Sequence, residues 1–230
     1  VLPAVTKKER HETNLPYRYA YNYCTFSYSM AFWDWERWQQ EIDWMALHGV
    51  NLSLALTGAE TVWKNVLTKL GYSKDEINDF VSGSGFTAWW LMNNLEGWGG
   101  PNPDWWYERQ EHLCQFILGR MRELGMEPVL PGYSGILPSN ATEKMGVKVI
   151  DQGYWCSGFR RPSFLLPTDE RYAEIAQLYY KHLAQVMGKS KYYSMDPFHE
   201  GGRTNGINLK VAFNTIYQEM QKHSPGAVWV

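Results

Sequence analysis

One unit recurs along this chain and leaves few folds open to it. Residues 21–28 (YNYCTFSY) mix aromatic and small side chains and read as a first strand. Residues 34–48 then read as a helix, with Asp34 placed to cap it and Trp35, Trp38, Ile42 and Met45 at helical spacing. Gly49 stops that helix, and VNLSLAL over 50–56 follows at once as a buried strand. Strand, helix, glycine and strand within residues 21–56 make a βαβ crossover, which forces parallel pairing.

The unit returns downstream. Residues 104–124 give an amphipathic helix through Trp105, Leu113, Phe116, Ile117, Met121 and Leu124, ended by Gly125 and followed by the strand MEPVLPG. Residues 169–187 repeat it through Tyr172, Ile175, Tyr179, Leu183 and Val186, with Gly188 and then the strand KYYSMDP. A helix over about 208–223 leads through Ser224-Pro225-Gly226 into AVWV. Ser73 and Glu76 form a capping box for one of the extra helices between. A doubly wound open sheet would carry a glycine-rich phosphate turn, and neither GxGxxG nor GxxxxGK[ST] occurs. A (β/α)8 TIM barrel instead places its irregular loops after the strands, as SMAFWDW, TGAE, GYSGILPSN and PFHEGGRTNG are here. The expected fold is therefore an α/β barrel with long βα loops. This chain would supply about the first five strands, because a full barrel takes about 250 residues. Residues 1–16 read as a linker from a preceding domain, and residues 17–230 as the N-terminal part of a catalytic barrel.

Composition narrows the partners. Twenty-two Lys+Arg against 24 Asp+Glu give a formal charge of −2, so there is no basic excess for a nucleic-acid backbone. No apolar run approaches the ~18 residues that suggest a membrane span. The first residues, VLPAVTKKERHE, show no apolar signal core. Cys24, Cys114 and Cys156 are too scattered for a zinc site, no metal or cofactor is called for, and one disulfide is open to them. Aromatic residues make up 16% of the chain, with 12 Trp, more than a core alone needs. Indole planes with polar rims suit the C–H faces of sugar rings.

The sharpest candidate chemistry lies at Met195-Asp196-Pro197-Phe198-His199-Glu200-Gly201-Gly202. A strand ends near Asp196, Pro197 prevents a regular helix, and Glu200 stands in a glycine-flanked loop that would let a ligand approach the backbone. Walled by Phe198, its carboxyl could serve as a general acid. His199 reads as a hydrogen-bonding loop imidazole. The stretch 86–98, with Trp89, Trp90, Met92, Asn93 and Asn94, combines ring planes with amides, and Trp155 adds another candidate wall. Asn22 and Cys24, two apart on the expected first strand, would share a face.

The segment YNYCTFSYSMAFWDWERWQQEIDWMALHGVNLSLAL, with EPVLPGYSG, SFLLP and YSMDPFHE in order behind it, resembles the α-N-acetylglucosaminidases of glycoside hydrolase family 89. The likeness runs along the chain from about residue 16. It implies a (β/α)8 catalytic barrel between a smaller N-terminal domain and a helical region. The implied activity removes terminal α-linked N-acetylglucosamine with retention of configuration. It places the acid/base at Glu200 within Asp196–Glu200, and the nucleophile on a later strand beyond Val230. It puts Asn22, Cys24, Tyr28, Trp89, Met92 and Trp155 in the sugar pocket, with His199 where related barrels carry Asn. The implied partner is a glycan ending in α-N-acetylglucosamine, and the implied address is secreted, periplasmic or lysosomal. Two other readings compete: a non-catalytic carbohydrate-binding barrel and a β-glycosidase of a related barrel clan.

Overall fold

The computed structural model describes residue 4 and residues 6–230. Through Tyr17 the described chain is exposed and outside helix or strand. Strand β1 (Tyr19–Ala20) comes first, then helix α1 (Tyr23–Tyr28). Helix α2 (Trp35–Leu47) opens at Asp34, whose Oδ1 accepts from Arg37 N at 3.0 Å, and leads into β2 (Leu52–Leu54). The β2–β3 connection holds α3 (Ala59–Lys69), α4 (Lys74–Phe80), a 3₁₀ turn at Ser84–Phe86, α5 (Thr87–Leu91) and the long α6 (Asp104–Glu123). The expected Ser73–Glu76 capping box begins α4. Then follow β3 (Glu127–Pro131), β4 (Ile136–Leu137), α7 (Ala141–Met145), β5 (Val149–Ile150), β6 (Tyr154–Trp155), β7 (Phe159–Arg160) and β8 (Ser163–Leu165). The chain continues with α8 (Tyr172–Val186), β9 (Tyr192–Ser194), α9 (Leu209–His223) and β10 (Val228–Trp229).

Strands β1-β2-β3-β9-β10 form one sheet in that order, every pair parallel, so the sheet follows the chain and each connection is a βα crossover. This is the wall of a TIM barrel. The extra strands belong to the loop after β3, where β4-β8-β5 and the β6–β7 hairpin pair antiparallel. Apolar side chains of β2, β3 and β9 (Leu54, Val129, Tyr193) and of the helices outside (Ile42, Met45, Ile175, Leu183) are fully buried. Each such burial stabilises by about 1.5–3 kcal/mol before the entropy of ordering is counted. Trp63 of α3 anchors an aromatic cluster with Phe80, Trp90, Tyr133 and Tyr179 at centroid distances of 5.1–6.4 Å.

Three sequence expectations change here. The first strand ends at Ala20; Tyr21 turns left-handed at φ 73°, and 23–28 is helix rather than strand. Local capping outweighs aromatic β propensity, since Asn22 Oδ1 accepts from Thr25 N at 3.1 Å and Thr25 Oγ1 at 2.8 Å. Asn22 and Cys24 therefore share a helix start, not a strand face. In α6 the buried stripe runs through Trp106, Gln110, Leu113, Ile117 and Met121, leaving Trp105 and Phe116 outside at 57% and 58% exposure. All three cysteines are unpaired.

Candidate active site

Strand β9 delivers the loop 195–202 to the C-terminal end of the wall, where other segments hold the main-chain carbonyls of Ser194, Met195, Asp196, His199 and Glu200. Ser194 O accepts from Gly132 N at 3.0 Å and Tyr23 Oη at 3.3 Å. Met195 O accepts from Trp229 Nε1 at 3.0 Å, and Asp196 O from Asn93 Nδ2 at 2.7 Å. His199 O and Glu200 O accept from the Arg161 guanidinium at 3.0 and 2.6 Å. Glu200 itself is left-handed, φ 43°, a conformation that costs a side-chain-bearing residue about 1–3 kcal/mol and persists only where its surroundings enforce it.

The Glu200 carboxylate is about half exposed and held at one oxygen. Oε2 accepts from Trp155 Nε1 at 2.8 Å and from Asn94 Nδ2 at 3.4 Å. Oε1 lies 3.6 Å from His199 Nε2, too far for a hydrogen bond. The other ring nitrogen, Nδ1, meets Asp196 Oδ2 at 2.5 Å, which fixes the imidazole between the two carboxylates. Asp196 thus orients the His199 ring. Phe198, expected as the wall beside Glu200, packs instead against Phe164 (tilted) and Phe213 (edge-on), at centroid distances of 4.7 and 6.1 Å. The room Gly202 leaves is occupied by the loop itself: a Cβ there would sit 2.9 Å from Phe198 Cα and 3.2 Å from Gln152 Oε1.

Of the pocket residues expected from sequence, Trp155 and His199 join Glu200 directly. Helix α1 reaches the same end of the wall, since Tyr23 and Asp196 line one small cleft with Ser194 and Gly132. Asn22 stands exposed at its start, Cys24 half-buried within it, and Tyr28 exposed at its end. Tyr28 meets Trp89 edge-on at 5.2 Å, so these two rings form one aromatic edge. Met92 is the exception: at 5% exposure it packs inward and presents almost no surface to a ligand.

Sequence reasoning passed over Arg161, 3% exposed, whose pKa burial lowers and the Glu200 charge raises. Nothing in the pair Arg160-Arg161 marks which one turns inward. It also left Asn93 and Asn94 as general pocket lining, whereas they brace Asp196 and Glu200. Two further acids near the loops are affected by burial. Glu60, after β2, and Glu96, tied to Ser139 N at 3.0 Å, are both pushed up to about 7. Among the described residues no three His, Cys, Asp or Glu side chains gather as a metal site, and no helix is long and apolar enough to cross a membrane.

Known proteins place this geometry. The family model of the alpha-N-acetylglucosaminidase (NAGLU) TIM-barrel domain matches residues 18–230. Human alpha-N-acetylglucosaminidase is 40% identical over 237 aligned residues, covering 100% of this chain and 32% of the human protein. The family 89 glycoside hydrolase of Clostridium perfringens superimposes with a TM-score of 0.91 and 39% identity over 94% of this chain and 25% of its own. That structure, with two glutamates changed to glutamine, holds its substrate GlcNAc-α-1,4-galactose; another of the same enzyme, equally similar, holds 2-acetamido-1,2-dideoxynojirmycin. The chain spans about a third of the human relative and a quarter of the clostridial one. A parallel barrel wall, a strand-end glutamate and a match over nearly the whole chain agree: the chain belongs to the alpha-N-acetylglucosaminidase family, glycoside hydrolase family 89.

Proposed function

We propose that the protein carrying this chain is a retaining exo-glycosidase that releases terminal α-linked N-acetylglucosamine, with Glu200 as its acid/base. The observation that carries this reading is the Glu200 carboxylate itself. It stands at a strand's C-terminal end, where barrel enzymes keep their chemistry, with one oxygen braced by Trp155 and Asn94 and the other open. The clostridial relative, 39% identical, binds GlcNAc-α-1,4-galactose, which supports the sugar and its linkage.

In a retaining mechanism two carboxyl groups stand about 5–5.5 Å apart across the glycosidic bond. The Glu200 acid gives its proton to the glycosidic oxygen as the C–O bond breaks. The partner carboxylate forms the glycosyl ester at the anomeric carbon. The Glu200 carboxylate then takes a proton from the water that attacks this ester, releasing the sugar and restoring both groups. Asp196 is hydrogen-bonded to His199, and the resemblance to family 89 assigns the nucleophile to a glutamate on a later strand, C-terminal to Val230. Trp155, Trp89 and Tyr28 supply ring faces and edges for one terminal sugar, while Asn22, Cys24 and His199 Nε2 supply polar contacts at the rim. Met92, 5% exposed, packs inward rather than touching sugar. Such an enzyme works on glycan ends in a secreted, periplasmic or lysosomal setting.

General acid–base catalysis contributes about 10²–10⁴-fold, so Glu200→Gln should remove turnover of alkyl and sugar glycosides by that factor. Azide should restore part of the turnover of nitrophenyl α-N-acetylglucosaminide, since it replaces the water that no longer has a base. Unchanged turnover in Glu200→Gln would overturn the assignment. Cleavage of the β-linked but not the α-linked nitrophenyl glycoside would overturn the linkage.

A further inference from the structure

A buried cation normally sits against a carboxylate. Arg161 does not: among the described residues no acidic oxygen lies within 4.0 Å of its guanidinium, although it is only 3% exposed. Its planar fork is spent on main-chain carbonyls instead. Nη1 donates to Asn93 O at 3.3 Å and to His199 O at 3.0 Å, and Nη2 donates to Glu200 O at 2.6 Å. Two of these carbonyls belong to left-handed residues, Asn93 at φ 65° and Glu200 at φ 43°. The Arg161 main chain meanwhile donates to Gly153 O at 2.9 Å, at the base of the β6–β7 hairpin that carries Trp155. One residue therefore binds the backbone of the loop bearing Glu200, the backbone of the segment bearing Asn94, and the hairpin bearing Trp155. These are the three segments whose side chains meet at Glu200 Oε2.

An apolar side chain of similar volume would fill the same space but donate no hydrogen bond. It would leave Asn93 O and Glu200 O without donors, and His199 O with only Gly202 N at 3.3 Å, at the point where the chain is held left-handed. Lys would supply a charge but not a fork, reaching one carbonyl where Arg reaches three. We propose that Arg161 is a positioning residue for Glu200: it holds the main chain of 199–200 in the left-handed turn that aims the carboxyl at the glycosidic oxygen. This rests on the acid/base reading of Glu200. Arg161 touches no reacting atom and acts only through that turn.

A loosened acid matters in proportion to how much the leaving group needs its proton. The test is kcat/KM of the full-length protein on a pair of α-N-acetylglucosaminides, one with an alkyl or sugar leaving group and one with dinitrophenyl. Arg161→Met should lose about 100-fold on the poor leaving group, the loss expected for a misplacement of about 1 Å, and little on the good one. Arg161→Lys, which keeps the buried charge and guards against a failure of Met to fold, should lose about tenfold less with the same leaving-group bias. Equal losses on both substrates, or no loss in either variant, would overturn the proposal by showing a purely packing role. Glu200→Gln assayed on the same pair separates the two claims. Leaving-group bias in Glu200→Gln but not in the Arg161 variants removes this inference alone, whereas its absence in Glu200→Gln removes the acid/base reading beneath it.

Discussion

The two ends of the barrel wall solve the same backbone problem with different residues. At the end where helices return to strands, the left-handed turns after α2, α6, α8 and α9 are all glycine: Gly49, Gly125, Gly188 and Gly226. At the end where strands run into loops, glycine also takes left-handed turns (Gly58, Gly135, Gly153 and Gly201), but residues with a Cβ do so as well: Tyr21, Asn93, Cys156, Ser157 and Glu200. These are all the non-glycine residues with positive φ among the described ones, and every one lies in a βα connection. Glycine takes such a turn at no steric cost, while a residue with a Cβ does so only under constraint. The returning end is thus built for ease and the loop end for placement. At Glu200 the left-handed turn is held by the hydrogen bonds from Arg161 to the main chain.

The ends differ in their buried ionisable groups as well, and pH is the strongest way to separate them. Glu60 at the loop end is 5% exposed, and burial pushes its pKa up to about 7 from an ordinary 4.5. His223, at the end of α9 on the returning side, stacks on Tyr180 at 4.7 Å and burial pulls it down to about 4. The signs are opposite. The folded state binds the Glu60 proton more tightly than the unfolded chain, so its contribution is complete below pH 4.5 and lost as pH rises through 7. The folded state resists protonating His223, so that contribution is present above pH 6.5 and lost as pH falls through 4. A carboxyl held at about 7 forfeits about 3 kcal/mol of stability by neutral pH. Glu60→Gln should therefore raise Tm at pH 7 and leave it unchanged at pH 4.5, read by thermal unfolding at both. An equal shift at both pH values would show that the loop end does not carry this acid-favouring group.

Next in size is the loop end's hold on the acid itself. Trp155→Phe keeps the ring but deletes the N–H that meets Glu200 Oε2 at 2.8 Å, leaving Asn94 at 3.4 Å as the remaining donor. A hydrogen bond to a charged group contributes about 1.5–3 kcal/mol, so kcat/KM on poorly activated α-glycosides should fall about tenfold or more. Stability should move by less than about 0.5 kcal/mol, because Trp155 is a partly exposed hairpin residue. A fall in Tm without a fall in kcat/KM would make the hairpin a structural cover rather than part of the site.

The same division decides what could be read from the sequence. Asp34, the Ser73–Glu76 box and the Tyr172, Ile175, Tyr179, Leu183, Val186 stripe are local signals, and the elements stand where these signals put them. The loop that carries Glu200 is legible because a strand, a proline and two glycines mark a loop end in any sequence. The Tyr21–Tyr28 run misleads because aromatic residues favour strands while Asn22 caps a helix, and the cap decides. Trp105 and Phe116 mislead because they are apolar but out of phase with Trp106, Leu113 and Ile117. Arg161 was not legible at all. Its neighbour Arg160 has the same chemistry, and only the pairing of β6 with β7, which fixes the direction of each side chain, sends one to an ion pair with Asp151 and the other to the carbonyls beneath Glu200.

The smallest effect isolates the difference between the ends most cleanly, because one substitution can be made at both. Gly125 and Gly201 have nearly the same backbone, φ 74° and 81°, and at each an added Cβ would meet nothing within 4 Å. Alanine at either position therefore adds only the left-handed penalty, about 1 kcal/mol, or ~2–4 °C in Tm for a domain of this size. At the returning end the strain can relax into the exposed α6–β3 turn, and Gly125→Ala should leave kcat/KM unchanged. At the loop end the strain falls next to Glu200, already at φ 43°, and any relaxation rotates the Glu200 peptide away from Arg161. Gly201→Ala should thus match Gly125→Ala in Tm and lose several-fold in kcat/KM on poorly activated substrates. If the two variants match in kinetics as well, the left-handed turn at Glu200 is permissive like those at the other end, and its strain has no part in placing the acid.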